Sequence, residues 1–277
     1  MQLDLFNWDR IEIGVGRSSL ARLDFNDARH RFNLVLRGFP NHPEAAQSME
    51  ELLYWEKTLA EFEALPPETA PPFLWAAIRR FPFDAADYSQ QLRRSLIQRL
   101  LTALANRPTF YAPPDLCSGY LHLQLGDLAA AVTALRSLVQ SRPDSGLLHL
   151  YLGEALYRQG RTERSGPCYA RALLLAPEAI SPEAISHQPL AEIIKEYGPS
   201  LAPIHAFLQG ILPLVADDSL PITPATTIYK ALQQAEHARR DGRHQDMIAA
   251  RRELKNLSAD IFQMYLDTLE DSTVKQG

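Results

Sequence analysis

Apolar side chains recur three and four residues apart along much of this chain, the spacing that gathers them on one face of a helix. The runs Leu92 to Ala105 (LRRSLIQRLLTALA) and Ile228 to Arg240 (IYKALQQAEHARR) show it plainly, and no segment alternates convincingly at period two. The pattern predicts an all-α protein. Further helices are expected near Ala45 to Leu65 and near Tyr88 to Asn106. Between them Pro66, Pro67, Pro71 and Pro72 predict an irregular insertion. A long C-terminal hairpin is expected, with arms at about Pro224 to Arg240 and Arg243 to Leu269 and a turn at Asp241-Gly242. Leu201 to Val215 is the most apolar window, but fifteen residues interrupted by Pro203 and Pro213 are too few to span a bilayer. It reads as a core helix, with a dimer contact as the alternative.

A longer period lies over the helical one. Gly126 and Gly160 are 34 residues apart, and so are Pro143 and Pro177. Aligned on these residues, the blocks Asp115 to Pro143 and His149 to Pro177 share their other parts. Gly119 and Gly153 precede the turn glycine by seven residues, at a place where a missing side chain lets two helices approach. Ala131 and Ser165 are small, and Leu135 and Tyr169 supply bulk four residues later. A proline cannot continue a helix, so Pro143 and Pro177 mark the joints between units. Gly166 and Pro167 fall inside the second block's last helix, which is therefore expected to start late, with Ser165 as its cap and Pro167 in its first turn. Gly16, Ala28, Phe32, Val35 and Pro40 fit the same template, with Leu23-Asp24 at a turn where glycine is usual.

Glycine, glycine, small, aromatic or Leu, and proline at these places resemble the tetratricopeptide repeat family, most closely over 113–178 and more weakly over 9–42. The resemblance implies an α-solenoid of helical hairpins, irregular and interrupted. The expected organisation is an N-terminal repeat-like unit with irregular helices (1–110), two repeats and a following helix (111–199), and C-terminal capping helices (200–277), forming one continuous unit. In this family the first helices of successive repeats line a concave groove that takes an extended peptide or a partner's helix. Carried over by position, the groove would use Leu116, Tyr120, Leu123 and Gln124, then Leu150, Glu154, Tyr157 and Arg158, with Ile13, Arg17 and Leu20 from the N-terminal unit. Leu116 and Leu150 could equally be buried by neighbouring helices. Some members clamp a C-terminal carboxylate with Lys and Asn, but those places hold Leu116, Tyr120, Leu150 and Glu154 here, so no such clamp is expected.

Charge and chemistry narrow the picture. A net charge of −5 argues against a general nucleic-acid binder. Arg239, Arg240, Arg243, Arg251 and Arg252, with Lys255, form a local basic face, read as a solvated helix surface or as a dock for an acidic partner. The eight histidines are scattered, without a metal-binding helix motif. The string Gly14 to Ser19 (GVGRSS) lacks the ending of a phosphate loop, and Asp217 and Asp218 read as a capped loop. Cys117 and Cys168 are expected to be buried free thiols. The segment MQLDLFNWDR carries no secretory signal, which makes a cytoplasmic location the default expectation. No catalytic, cofactor-binding or metal-binding residues are expected. The function implied is a non-enzymatic adaptor or scaffold that binds another protein. The alternative is a structural or regulatory subunit of a homo-oligomer or obligate complex, joined through the apolar C-terminal helices.

Overall fold

The computed structural model describes residues 7–216 and 220–274, so Asp217, Asp218 and the segment MQLDLF lie outside the described residues. Among the described residues there are fourteen α-helices and two single-turn 3-10 segments, and the only strand-like pairing is a bridge between Ala112 and Leu116. The chain is all-α. It folds as two compact units, residues 1–121 and 122–277.

The first unit holds α1 (Trp8–Ala21), α2 (Phe25–Gly38), α3 (Pro43–Ala64), α4 (Ala70–Arg80) and α5 (Asp87–Leu104). Helices α1 and α2 pair, α3 packs on both, and α4 and α5 close the other side. Phe32, Leu52, Trp55, Leu74, Leu92 and Leu96 are fully buried between them. Helix α4 departs from the expectation of an irregular insertion. Pro71 and Pro72 sit in its first turn, where backbone amides have no acceptor within the helix and a missing donor costs nothing. Leu74, Trp75 and Ile78 then form its buried stripe.

Residues Ser118–Leu125 form α6, in which the boundary between the units falls. The second unit continues with α7 (Leu128–Ser141), α8 (Gly146–Arg158) and α9 (Thr162–Leu175). Next come 3-10 turns at Pro177–Ala179 and Pro182–Ala184, then α10 (Gln188–Tyr197), α11 (Ala202–Leu208), α12 (Pro224–Arg240), α13 (His244–Leu257) and α14 (Ala259–Val274). Helix α8 lies between α7 and α9 and is buried almost all round, which its near-continuous apolar sequence GLLHLYLGEALYR requires.

Four helix pairs turn in one way. The amides of Leu23, Gly126, Gly160 and Gly242 donate to carbonyls three residues back, and those of Asp24, Asp127, Arg161 and Arg243 to carbonyls five back, at 2.8–3.3 Å. These paired bonds are a Schellman motif, which needs a left-handed residue; φ is 63°, 81°, 75° and 70° at the four positions. After two of these turns an aspartate caps the next helix: Asp24 and Asp127 accept the amides of Asp27 and Ala130 at 3.1 Å.

Two further expectations are corrected. Helix α9 does not start late: it begins at Thr162, and Pro167 lies inside it. Gly166 lacks the Cβ that a following proline would crowd, and only one helical donor is missing, so the helix continues through the proline. The long C-terminal arm is also broken. Ser258 takes an extended backbone, with φ −157° and ψ 106°, which ends α13 and starts α14 in a new direction. In the Leu201 to Val215 window, only Ala202–Leu208 is helical; Ala202, Ile204, Ala206, Leu208, Leu212 and Val215 all join the core of the second unit.

Candidate functional site

The repeat frame is set by close glycine–aromatic contacts. A Cβ on Gly16 would lie 2.4 Å from Phe32 Cε1, and one on Gly153 would lie 3.0 Å from Tyr169 Cδ1. Both rings are fully buried, and each lies sixteen residues beyond its glycine. The same offset therefore makes the same contact in both units, and it fixes which face of each first helix remains for other uses.

In the first unit Leu116 does not lie on a helix. It precedes α6, is buried, and exchanges backbone hydrogen bonds with Ala112 at 2.9 and 3.0 Å. Tyr120 is half-buried on α6 and packs edge-on against Trp75, with ring centroids 6.2 Å apart. It faces a pocket of about 540 Å³ walled by Trp75, Phe81, Phe83, Arg79, Arg93 and Asp115. Asp115 accepts the Trp75 indole N–H at 2.8 Å and pairs with Arg79 at 3.6 Å. Burial pushes the Tyr120 hydroxyl above its ordinary range, and the Asp115 charge adds to that against Arg93 and Arg79. From the N-terminal group, Ile13 and Leu20 are buried, while Arg17 donates to Ser48 at 3.0 Å and lies 5.0 Å from the centre of the Tyr88 ring.

In the second unit Leu123, Leu150 and Glu154 are buried, Gln124 and Tyr157 are half-buried, and Arg158 is exposed. Arg158 Nη1 reaches the Leu123 carbonyl at 3.4 Å. Glu154 is a buried carboxylate with three donors: the Tyr169 hydroxyl at 2.8 Å, the Ser186 amide at 2.8 Å and the Ser186 hydroxyl at 2.6 Å. That set satisfies a group which would be costly to bury alone. Burial, reinforced by the Glu154 charge, pushes the Tyr169 hydroxyl far up, so it acts as a donor.

Sequence reasoning missed the segment that supplies Ser186. Residues 177–186 read PEAISPEAIS, a pentapeptide written twice. Each copy makes one 3-10 turn closed by the isoleucine amide onto the proline carbonyl, at 3.1 Å for Ile180 and 3.2 Å for Ile185. Both isoleucines are buried in the core cluster that contains Leu150 and Tyr169. His187 follows, its ring 4.8 Å from that of Tyr157. The duplication was the available signal; a template of 34-residue period passes over a five-residue one.

Most of the arginines of the basic face are engaged locally. Arg239 and Arg240 bind the buried carboxylate of Glu236 at 2.7 and 2.8 Å, and Tyr265 donates to it at 3.0 Å. Burial alone would raise the Glu236 carboxyl, but hydrogen bonds from Arg239, Arg240 and Tyr265 outweigh it and bring its pKa to about 2. Arg243 pairs with Asp241 and Asp246 at 2.9 and 3.0 Å, and Arg251 lies over the Tyr265 ring. Arg252 is exposed. Cys117 is a buried free thiol, pushed by burial to about 11, and Cys168 is free and half-buried.

Among the described residues no group of three or more His, Cys, Asp and Glu could hold a metal ion, and no helix is long and apolar enough to cross a membrane. Residues 118–184 match the family model of the tetratricopeptide repeat. That span contains α6 to α9 and ends at Ala184, two residues before the end of the doubled pentapeptide. No curated protein matches the chain.

Proposed function

We propose that this protein is a non-enzymatic adaptor that binds a peptide or helix of another protein through the first-helix faces of its repeats. The observation that carries the reading is the segment 118–184: it matches a repeat family that generally mediates protein–protein interaction, and its helices are joined by the repeated left-handed turn. Of the residues assigned to the groove, Tyr120 in the first unit and Gln124, Tyr157 and Arg158 in the second keep solvent-accessible surface, whereas Leu116, Leu123, Leu150 and Glu154 are buried. An aromatic ring and a guanidinium are the side chains that most often dominate binding energy at such surfaces. The alternative of a homo-oligomer joined through Leu201 to Val215 is less favoured, because the apolar side chains of that window are used inside the second unit.

The test is affinity capture by the immobilised full chain carrying Tyr120→Ala or Arg158→Glu, beside Arg252→Glu as a control outside the groove. Partners held by the wild type should fall at least tenfold with the first two changes and persist with the third. Equal capture by all four proteins would show that binding does not use this groove.

A further inference from the structure

Two of the four groove positions on α8, Glu154 and Tyr157, are covered by the segment that follows α9, and a third, Leu150, is buried in the core. Ser186 places its amide and hydroxyl on Glu154, His187 lies against Tyr157, and Ile180 and Ile185 are buried in the core cluster that also holds Leu150 and Tyr169. Only Arg158 is left exposed. The covering segment is short, has no regular element longer than one turn, and is anchored by chemistry that repeats: an isoleucine, four residues, a second isoleucine, then serine.

We propose that residues 177–187 are a resident occupant of the α8 groove, and that its external ligand is an extended peptide of the same pattern. That pattern is two β-branched aliphatic residues five apart, the second followed by a serine or threonine whose hydroxyl and amide bind Glu154. The proposal rests on the groove reading given above and adds the ligand's chemistry and an internal competitor. The geometry explains the choice of ligand. A carboxylate that accepts an amide and a hydroxyl from one residue selects a short hydroxylated side chain on extended backbone. The two apolar sites fix spacing and direction. When the segment lifts, Glu154 regains water and loses only interchangeable donors, so it exerts no strong hold against exchange. A competitor tethered on both sides acts at high effective concentration, so an external peptide binds the intact protein weakly.

Hydrogen exchange on the full-length wild type is the first test. The amides of Ile180, Ile185 and Ser186 are hydrogen-bonded and should exchange through a local opening while amides of α8 and α9 stay protected. If they exchange only together with α8 and α9, the segment is a fixed part of the core and the proposal falls. The second test uses a fluorescein-labelled synthetic peptide of sequence PEAISPEAISHQ and the full chain with Ile180→Ser and Ile185→Ser, checked for wild-type helicity. This variant should bind the peptide at least tenfold more tightly than the wild type, and changing the peptide's second serine to alanine should weaken binding at least threefold. Equal affinity of folded variant and wild type, or no binding to either, overturns the proposal. Should the segment prove fixed while Arg158→Glu still abolishes partner capture, the groove reading stands and only its internal occupant is lost.

Discussion

Leu23 carries a conformational cost that glycine avoids at the corresponding turns. It closes the α1–α2 turn at φ 63°, where Gly126, Gly160 and Gly242 hold 81°, 75° and 70°. A side chain in this region costs about 1–2 kcal/mol, offset in part by the greater freedom that glycine has in the unfolded chain. Leu23→Gly should therefore raise stability by about 0.5–1 kcal/mol, read as a higher urea midpoint at unchanged slope. The opposite change at the helix crossings has the opposite sign. Gly153→Ala would drive a methyl into the Tyr169 ring, which the surrounding core holds, and should cost about 1–3 kcal/mol. Both substitutions act at residues the sequence singles out by spacing. The spacing of Gly16, Gly153, Phe32 and Tyr169 was legible because a close contact admits few residue types. The engagement of Glu154 by Ser186 was not, since a buried carboxylate and a solvent-facing one look alike in a sequence.

At the scale of elements, α8, α12 and the turns at Gly126, Gly160 and Gly242 follow from periodicity and glycine placement. What escaped was governed by prolines and serines, whose effect depends on their position within a helix. Pro71 and Pro72 start α4, Pro167 lies inside α9, and Ser258 divides α13 from α14. Among these only Pro167 removes a donor that the helix interior would use. Pro167→Ala should therefore stabilise the protein by about 1–2 kcal/mol, less than the full interior penalty because proline also restricts the unfolded chain. Pro72→Ala, at a half-buried position in a first turn that needs no donor, should change stability by less than about 0.5 kcal/mol. Matched urea titrations of the two variants would test this, and equal gains from both would contradict the positional argument. The tandem turns at Pro177–Ala179 and Pro182–Ala184 belong to this class too: proline starts each turn, and the buried isoleucine after it sets where the chain goes next.

At the scale of the molecule, the two units carry different reporters and different titrating groups. Trp8, Trp55 and Trp75 all lie in residues 1–121, so tryptophan emission reads the first unit alone. Glu236, on α12 of the second unit, is held at a pKa of about 2 by Arg239, Arg240 and Tyr265 against the effect of its own burial. Its folded pKa lies below the ordinary glutamate value of 4.5, so the stabilisation is fully present above that value and is lost as pH falls toward 2. The carboxylate side chain is only 4% exposed, whereas the two arginines are 41% and 63% exposed, so solvent weakens the pairs from one side. A contribution of about 2–3 kcal/mol at neutral pH follows. Glu236→Gln should therefore be destabilised by about that amount at pH 7 and match the wild type near pH 2, since the wild-type carboxyl is then losing its charge. Far-UV circular dichroism, which reads helices of both units, should show the wild type's acid transition displaced toward higher pH in this variant. Tryptophan emission, which reads only the first unit, should keep its wild-type acid midpoint. Displacement of both signals together would mean that the effect of Glu236 is not confined to the unit that holds it, and no displacement of either would mean that its arginine pairs contribute nothing to folding.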